Sequence, residues 1–156
     1  MRKVIGIGET ILDIIFKNEQ PTAAKPGGST FNSMITLGRL GVNTEFISEV
    51  GRDRLGKQIK DFLAENNVKS ENVYDYDGGK TALSLAFLDE NMNADYLFYK
   101  NDATQKLDYV MPKIEENDII VIGSFFSIND ALRENLTYLL DEAKRKKAII
   151  YYDVNF

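Results

Sequence analysis

Histidine and cysteine are both missing from this 156-residue chain, so any acid–base work falls to Asp, Glu, Lys or Tyr. No disulfide, thiol nucleophile, Ser-His triad or ordinary zinc site can be assembled. The residues that could still do chemistry lie in two stretches. Asp13 stands in Ile11-Leu12-Asp13-Ile14-Ile15-Phe16, flanked on both sides by large apolar residues. A carboxylate there is costly unless paired or facing a polar cleft, so Asp13 is either a structural partner or a ligand-binding group. The second stretch is Pro26-Gly27-Gly28-Ser29-Thr30-Phe31-Asn32. Bare amides at a helix start suit oxygen-rich or anionic ligands, and Asn32 adds an acceptor and two donors. That combination suits neighbouring sugar hydroxyls. A capped βα loop with no ligand is the plainer reading of the same residues.

These groups need elements to hold them. Residues 3–8 are a short apolar run of the kind that makes a buried strand, and 11–16 resumes it after Glu9-Thr10. Pro26 and the Gly27-Gly28 pair are expected to break any regular element. Ser29 or Thr30 then caps a helix with Phe31, Met34, Ile35 and Leu37 inward, and Gly38 and Gly41 fall near its end. A strand over Thr44–Val50 follows, and Asp53 is the expected N-cap of a helix through Asn66. Strand and helix in alternation argue for a parallel sheet covered by helices.

Past a polar connection with a short Val73–Tyr76 segment, the pattern changes. Thr81–Leu88 and Ala94–Lys100 are strand-like runs around Asp89-Glu90-Asn91-Met92-Asn93, a hairpin signal. Its aromatic residues Tyr96, Phe98 and Tyr99 either close over a ligand, meet another subunit or simply pack. Leu107–Glu115 reads as a short helix and Asp118–Ser124 as a buried strand. Asn129 or Asp130 is the expected cap of a helix through Lys147, whose basic end suits the helix dipole. Ala148–Tyr152 is a last strand, with Asp153-Val154-Asn155 at the carboxyl end, where open α/β sheets bind ligands. An apolar sheet edge is expected there, pairing with another copy or a residual fragment.

The totals narrow the function. Hydrophobic content of 44% fits a globular fold, and a net charge of −5 argues against nucleic acid as a partner. No apolar run reaches the length of a membrane span, and the start is too short and strand-like for a signal peptide, so a cytoplasmic protein is expected. Gly6-x-Gly8 would suit a dinucleotide loop, but Ile11 stands where a third glycine belongs.

Taken together, Gly27-Gly28-Ser29-Thr30-Phe31-Asn32 through Gly41 and Gly51, Gly8-Glu9-x-x-x-Asp13, Gly51-Arg52-Asp53-x-x-Gly56, Tyr99-Lys100-Asn101-Asp102-Ala103 and Asp153-x-Asn155 resemble the N-terminal half of the ribokinase-like sugar kinases, the PfkB carbohydrate kinase family. The resemblance runs along essentially the whole chain. It implies an α/β fold, a three-layer α/β/α arrangement around a central mixed sheet. Residues 1–156 would be the N-terminal half of one domain, with strands of a small β lid around 11–16 and 81–100. It also implies transfer of the γ-phosphoryl of ATP to a sugar hydroxyl with Mg²⁺, and a homodimer through the lid. Ile11 stands where ribokinases tend to have Asn, which makes the subclass fructokinase-like.

By the same resemblance, Asp13 and Asn32 would bind sugar hydroxyls and the Gly27-Gly28 backbone would lie against the sugar. Tyr99 and Lys100 complete the substrate-binding set, although Lys100 lacks the bidentate fork of the Arg usual there. Asp153 and Asn155 would lie near the phosphates. The family's Gly-Ala-Gly-Asp motif, which carries the catalytic base, and its metal-linked Asn-x-x-Glu motif are both absent, and the ATP-binding half is expected elsewhere. The chain alone is therefore expected to be inactive, as a truncated or proteolysed portion of a kinase. The alternative is a naturally short protein that binds a sugar, or dimerises through the lid, without catalysis.

Overall fold

Strand alternation sorts the apolar side chains onto the two faces of one parallel sheet. In the computed structural model, which describes residues 2–100 and 107–154 apart from the Phe125 side chain, β1 (Val4–Ile7) lies at the centre of that sheet. To one side are β4 (Thr44–Gly51), then β5 (Val68–Lys69) and β6 (Val73–Tyr76), both paired with β4. To the other are β9 (Ile119–Gly123) and β10 (Ile149–Asp153). Among the described residues every pairing of this sheet is parallel; mixed pairing is confined to the second sheet below.

Val4, Phe46 and Val50 project towards α1 (Ser29–Arg39) and α2 (Arg54–Glu65), where they bury Phe31, Met34, Ile59 and Leu63. Ile5, Ile7, Ile47, Ile120 and Ile122 project the opposite way, onto Leu136, Leu139 and Ala143 of α3 (Arg133–Arg145). Helices on both faces make the expected three-layer α/β/α arrangement. β10 is an edge strand of the described sheet, with Ile149, Tyr151 and Tyr152 exposed.

A second sheet stands off the first. Its order is β3 (Gln20–Gly27), β2 (Ile11–Lys17), β7 (Leu83–Leu88), β8 (Ala94–Tyr99), with β2 and β7 parallel and the outer pairs antiparallel. The 81–100 hairpin forms as expected, its turn held by Asp89, whose carboxylate accepts the amides of Asn91 and Asn93.

Several expectations are corrected. Pro26 and Gly27 do not end regular structure; they lie inside β3, which runs to Gly27. Proline is tolerated because β3 is an edge strand and needs no donor on its free side. Neither Ser29 nor Thr30 caps α1. Gly28 is its N-cap, with no side-chain hydrogen bond, and Thr30 is buried instead against Gly8. Gly38 is not a cap either, but the buried residue over which the Asn66 backbone crosses, while Gly41 follows the last turn at φ 77°.

No helix forms over 107–115. Pro112 cannot donate and restrains its neighbour, and local donors go to distant acceptors: Leu107 N to Glu49 Oε2 at 2.9 Å and Val110 N to Asn72 Oδ1 at 3.2 Å. Tyr109 donates to the Asn135 carbonyl at 2.9 Å, and burial, then the neighbouring Tyr138, pushes its hydroxyl up to about 12. Asn129 caps a short 3₁₀ turn over Asp130–Leu132, and α3 proper starts only at Arg133 and ends at Arg145 rather than Lys147.

Asp53 caps α2 as expected and does more. Its Oδ1 accepts the amides of Leu55 and Gly56 at 3.0 and 2.9 Å and the Thr81 hydroxyl at 2.8 Å, while Oδ2 accepts the Thr81 amide at 2.9 Å. One carboxylate thus ties the start of α2 to the strand that enters the second sheet. Burial pushes the Asp53 carboxyl up, but these hydrogen bonds together hold it below the ordinary 3.8. Asp53→Ala is expected to cost about 2 kcal/mol, a lost cap plus the stranded Thr81 donors. Because the folded-state value is depressed, that stability is present above the unfolded value and lost as pH falls through the folded one. Urea denaturation of the two proteins at pH 7 and in the acid range should show curves that begin to approach each other only once pH falls below the ordinary 3.8.

Candidate functional site

The chain steps from β1 outward to β4 and β5, then returns past β1 to lay down β9 and β10. The reversal falls between β1 and β9, and the space outside their carboxyl ends is the usual ligand position in an open parallel sheet. A cavity of about 360 Å³ occupies that place. Glu9, just past β1, and Gly28-Ser29, at the start of α1, form one wall; Gly123-Ser124, at the end of β9, form another. The second sheet supplies the roof through Ile11 of β2, Phe98 of β8 and Lys100 just beyond it.

The local sequence explains the opening in the wall. Gly28 has φ 131° and ψ 145°, a region that only glycine occupies without strain. A Cβ there would collide with the Glu9 carbonyl oxygen. The turn therefore carries no side chain, and α1 begins at the crevice wall. Ser48 Oγ donates to the Gly8 carbonyl at 2.7 Å and Thr10 Oγ1 to the Gly27 carbonyl at 3.3 Å, which holds both sides of the turn.

Asp13 follows Ile11 along the same face of β2, one residue pair further from the cavity. Its Oδ1 accepts from the fully buried Ser84 hydroxyl of β7. Its Oδ2 occupies the space that a side chain on Gly27 would fill. No ion pair to Asp13 is found among the described residues. Lys100 Nζ meets Glu9 Oε1 at 3.3 Å, joining the roof to the wall.

The residues singled out by sequence separate into three groups. Gly28 and Lys100 line the cavity, and Gly27 and Asp13 adjoin it. Asn32 is exposed on the first turn of α1 and lines a different groove, beside Lys25 and Pro26 of β3. Tyr99 pairs in register with Leu83, on the face of the second sheet opposite to Asp13 and Ser84, and is largely exposed. Asp153 is exposed at the end of β10, its carbonyl accepting from Ser124 N at 3.0 Å beside the cavity. Asn155, like residues 101–103 of the Tyr99–Ala103 match, lies outside the described residues.

Sequence reasoning gave no site role to Glu9, Ser124 or Phe126, which line the cavity, and named Phe98 only together with Tyr96 and Tyr99 as aromatics that close over a ligand, meet another subunit or pack. Glu9 had a usable signal, an acidic residue directly after a buried strand. Nothing in the sequence separated Phe98 from Tyr99, because only the hairpin register decides that Phe98 shares the Asp13 face.

A parallel α/β sheet with its crevice at the switch point, roofed by a separate small β sheet, is the usual setting of a small-molecule site. The chain belongs to the pfkB family of carbohydrate kinases, whose family model matches residues 1–156. It is similar to fructokinase-1 of Oryza sativa subsp. japonica, 26% identical over 97% of this chain and 50% of that one. The fold is that of a fructokinase from Vibrio cholerae O395 solved with fructose, ADP and calcium ion (TM-score 0.86, 19% identity, 100% of this chain and 51% of that one). It is equally that of an uncharacterized sugar kinase from Pyrococcus horikoshii (TM-score 0.81, 23% identity, 98% of this chain and 55% of that one). The chain spans about half the length of the relatives it matches.

A nucleotide and its metal need phosphate donors and converging acidic ligands. Among the described residues no group of three His, Cys, Asp or Glu side chains converges in that way. Asp153 offers a phosphate only acceptors. The described residues do not fit that group. No described helix is long and apolar enough to cross a membrane.

Proposed function

We propose that residues 1–156 are the sugar-binding half and lid of a cytoplasmic, ATP-dependent carbohydrate kinase that acts on a fructose-like sugar. The observation that carries this reading is the roofed crevice at the switch point, with the bare Gly28 turn and Asp13 beside it. Backbone and a carboxylate together offer hydrogen-bond partners for hydroxyls, and the second sheet, as a lid, excludes water from them. The catalytic base, the ATP site and the Mg²⁺ ligands belong to residues outside this stretch, and Asp153 marks the edge nearest the phosphates.

NMR titration of the chain with D-fructose tests the sugar site. Shifts at Gly27, Gly28 and Ser29 amides are expected, and their absence at saturating sugar would remove the reading. A coupled assay with MgATP should show no turnover by this chain alone. Asn32 lines a different groove, so Asn32→Ala is expected to weaken fructose by no more than about 1 kcal/mol, roughly fivefold. A larger loss than Asp13→Ala would reverse their ranking.

A second, non-catalytic reading has its own support. Tyr96, Leu97, Phe98 and Tyr99 are all about half exposed on β8, an edge strand, and Tyr96 stacks on Phe98 with ring centroids 5.7 Å apart. A second copy of the chain covering this strand would make a lid-to-lid homodimer. Sedimentation equilibrium should then give twice the 17.7 kDa chain mass, and Leu97→Lys should return it to monomer.

A further inference from the structure

Ser124 lies in a backbone region that side-chain-bearing residues avoid. Its φ of 59° and ψ of −172° fall where glycine is at ease and other residues are strained. Among the described non-glycine residues with positive φ, Ser124 alone lines the cavity. Its surroundings hold it there. The Ser124 amide donates to the Asp153 carbonyl at 3.0 Å, and the Ser124 carbonyl accepts the Ser127 amide at 3.0 Å and the Ser127 hydroxyl at 2.7 Å. Gly123 before it lies so close to β10 that a Cβ would strike the Asp153 carbonyl oxygen. The chain therefore leaves β9 in one sharp step and enters a 3₁₀ turn over Phe125–Ile128.

These bonds account for the conformation but not for the serine. All of them use the main chain of residue 124, so glycine would make the same bonds without the strain. What serine adds is a hydroxyl at the cavity wall, and among the described residues that hydroxyl has no hydrogen-bond partner. It offers one donor and two acceptors, which match those of a sugar hydroxyl. We propose that Ser124 is a sugar-binding residue of the cavity: its hydroxyl, kept at the end of β9 on strained backbone, hydrogen-bonds a hydroxyl of the bound sugar. The position gives up stability for binding, as strained residues at functional sites do. This role rests on the sugar-site reading above and deepens it with a contact from β9.

Two variants of the 156-residue chain, Ser124→Gly and Ser124→Ala, provide the test, read by NMR titration with D-fructose and by urea denaturation. Both should bind fructose about three- to tenfold more weakly than wild type, the range for losing one neutral hydrogen bond. Stability should separate them. S124G is expected to unfold at a higher urea concentration than wild type, because glycine relieves the strain, whereas S124A keeps the strain and should gain nothing. A serine with only a structural role would move affinity and stability in the same direction. Unchanged fructose affinity in either variant, or an S124G protein no more resistant to urea than wild type, would each overturn the proposal. Failure of the wild type to bind fructose removes the sugar site itself, whereas wild-type binding that both variants retain in full removes only the role of Ser124.

Discussion

Alanine in place of Gly28 should destabilise the chain by about 3 kcal/mol or more and abolish sugar binding. Two costs add at this residue. Its φ of 131° and ψ of 145° lie where a side-chain-bearing residue is strained by about 1–3 kcal/mol. The new Cβ would also strike the Glu9 carbonyl oxygen, a backbone atom that cannot swing aside as a flexible side chain would. Relief requires α1 to move away from the end of β1, yet α1 is anchored by the fully buried Phe31 and Met34. The turn therefore either strains or shifts, and either outcome moves the Gly28-Ser29 backbone that lines the crevice. Urea denaturation measures the first effect and fructose titration the second. Gly41→Ala provides a control, since Gly41 also has a positive φ but nothing lies within 4 Å of its added Cβ. A Gly28→Ala protein as stable as wild type would mean that the turn is not held as described.

Asp13→Ala should weaken fructose binding by about 2–3 kcal/mol, or some 30- to 150-fold, the range for losing a hydrogen-bonded charged group. The carboxylate is already positioned before any ligand arrives. Ser84 donates to one oxygen, and the missing side chain of Gly27 leaves room for the other. A positioned acceptor binds hydroxyls without an ordering cost. Truncation would also strand the buried Ser84 hydroxyl, so stability should fall as well, by about 1–2 kcal/mol. The double variant D13A/S84A separates these effects, because it should recover stability without recovering affinity. Unchanged fructose affinity in Asp13→Ala would remove the residue from the site and leave its bond to Ser84 as its whole role.

Local chemistry makes much of this protein legible in the order of its residues. The β1, β4 and β9 runs, the Asp53 cap, the apolar stripe of α2 and the 81–100 hairpin all follow from periodicity and capping within about a dozen residues. The peculiarity of Gly27-Gly28 and the odd carboxylate at position 13 are visible for the same reason. Glycine has no side chain to place, and an acid among isoleucines has to be accounted for.

Tertiary structure decided the rest. β3 was hidden because its prolines and polar residues are ruled out of a strand only where both edges must pair, and nothing local says that one edge is free. The helix expected over 107–115 gave way to bonds with Glu49 and Asn72, partners more than 35 residues distant. The pairing of Glu9 with Lys100 across 91 residues, and the choice of Phe98 over Tyr99 for the cavity, depend on how one sheet is set over another. Residue type and spacing determined which groups were available for chemistry; strand register and sheet order determined which of them meet, because those are properties of contacts remote along the chain.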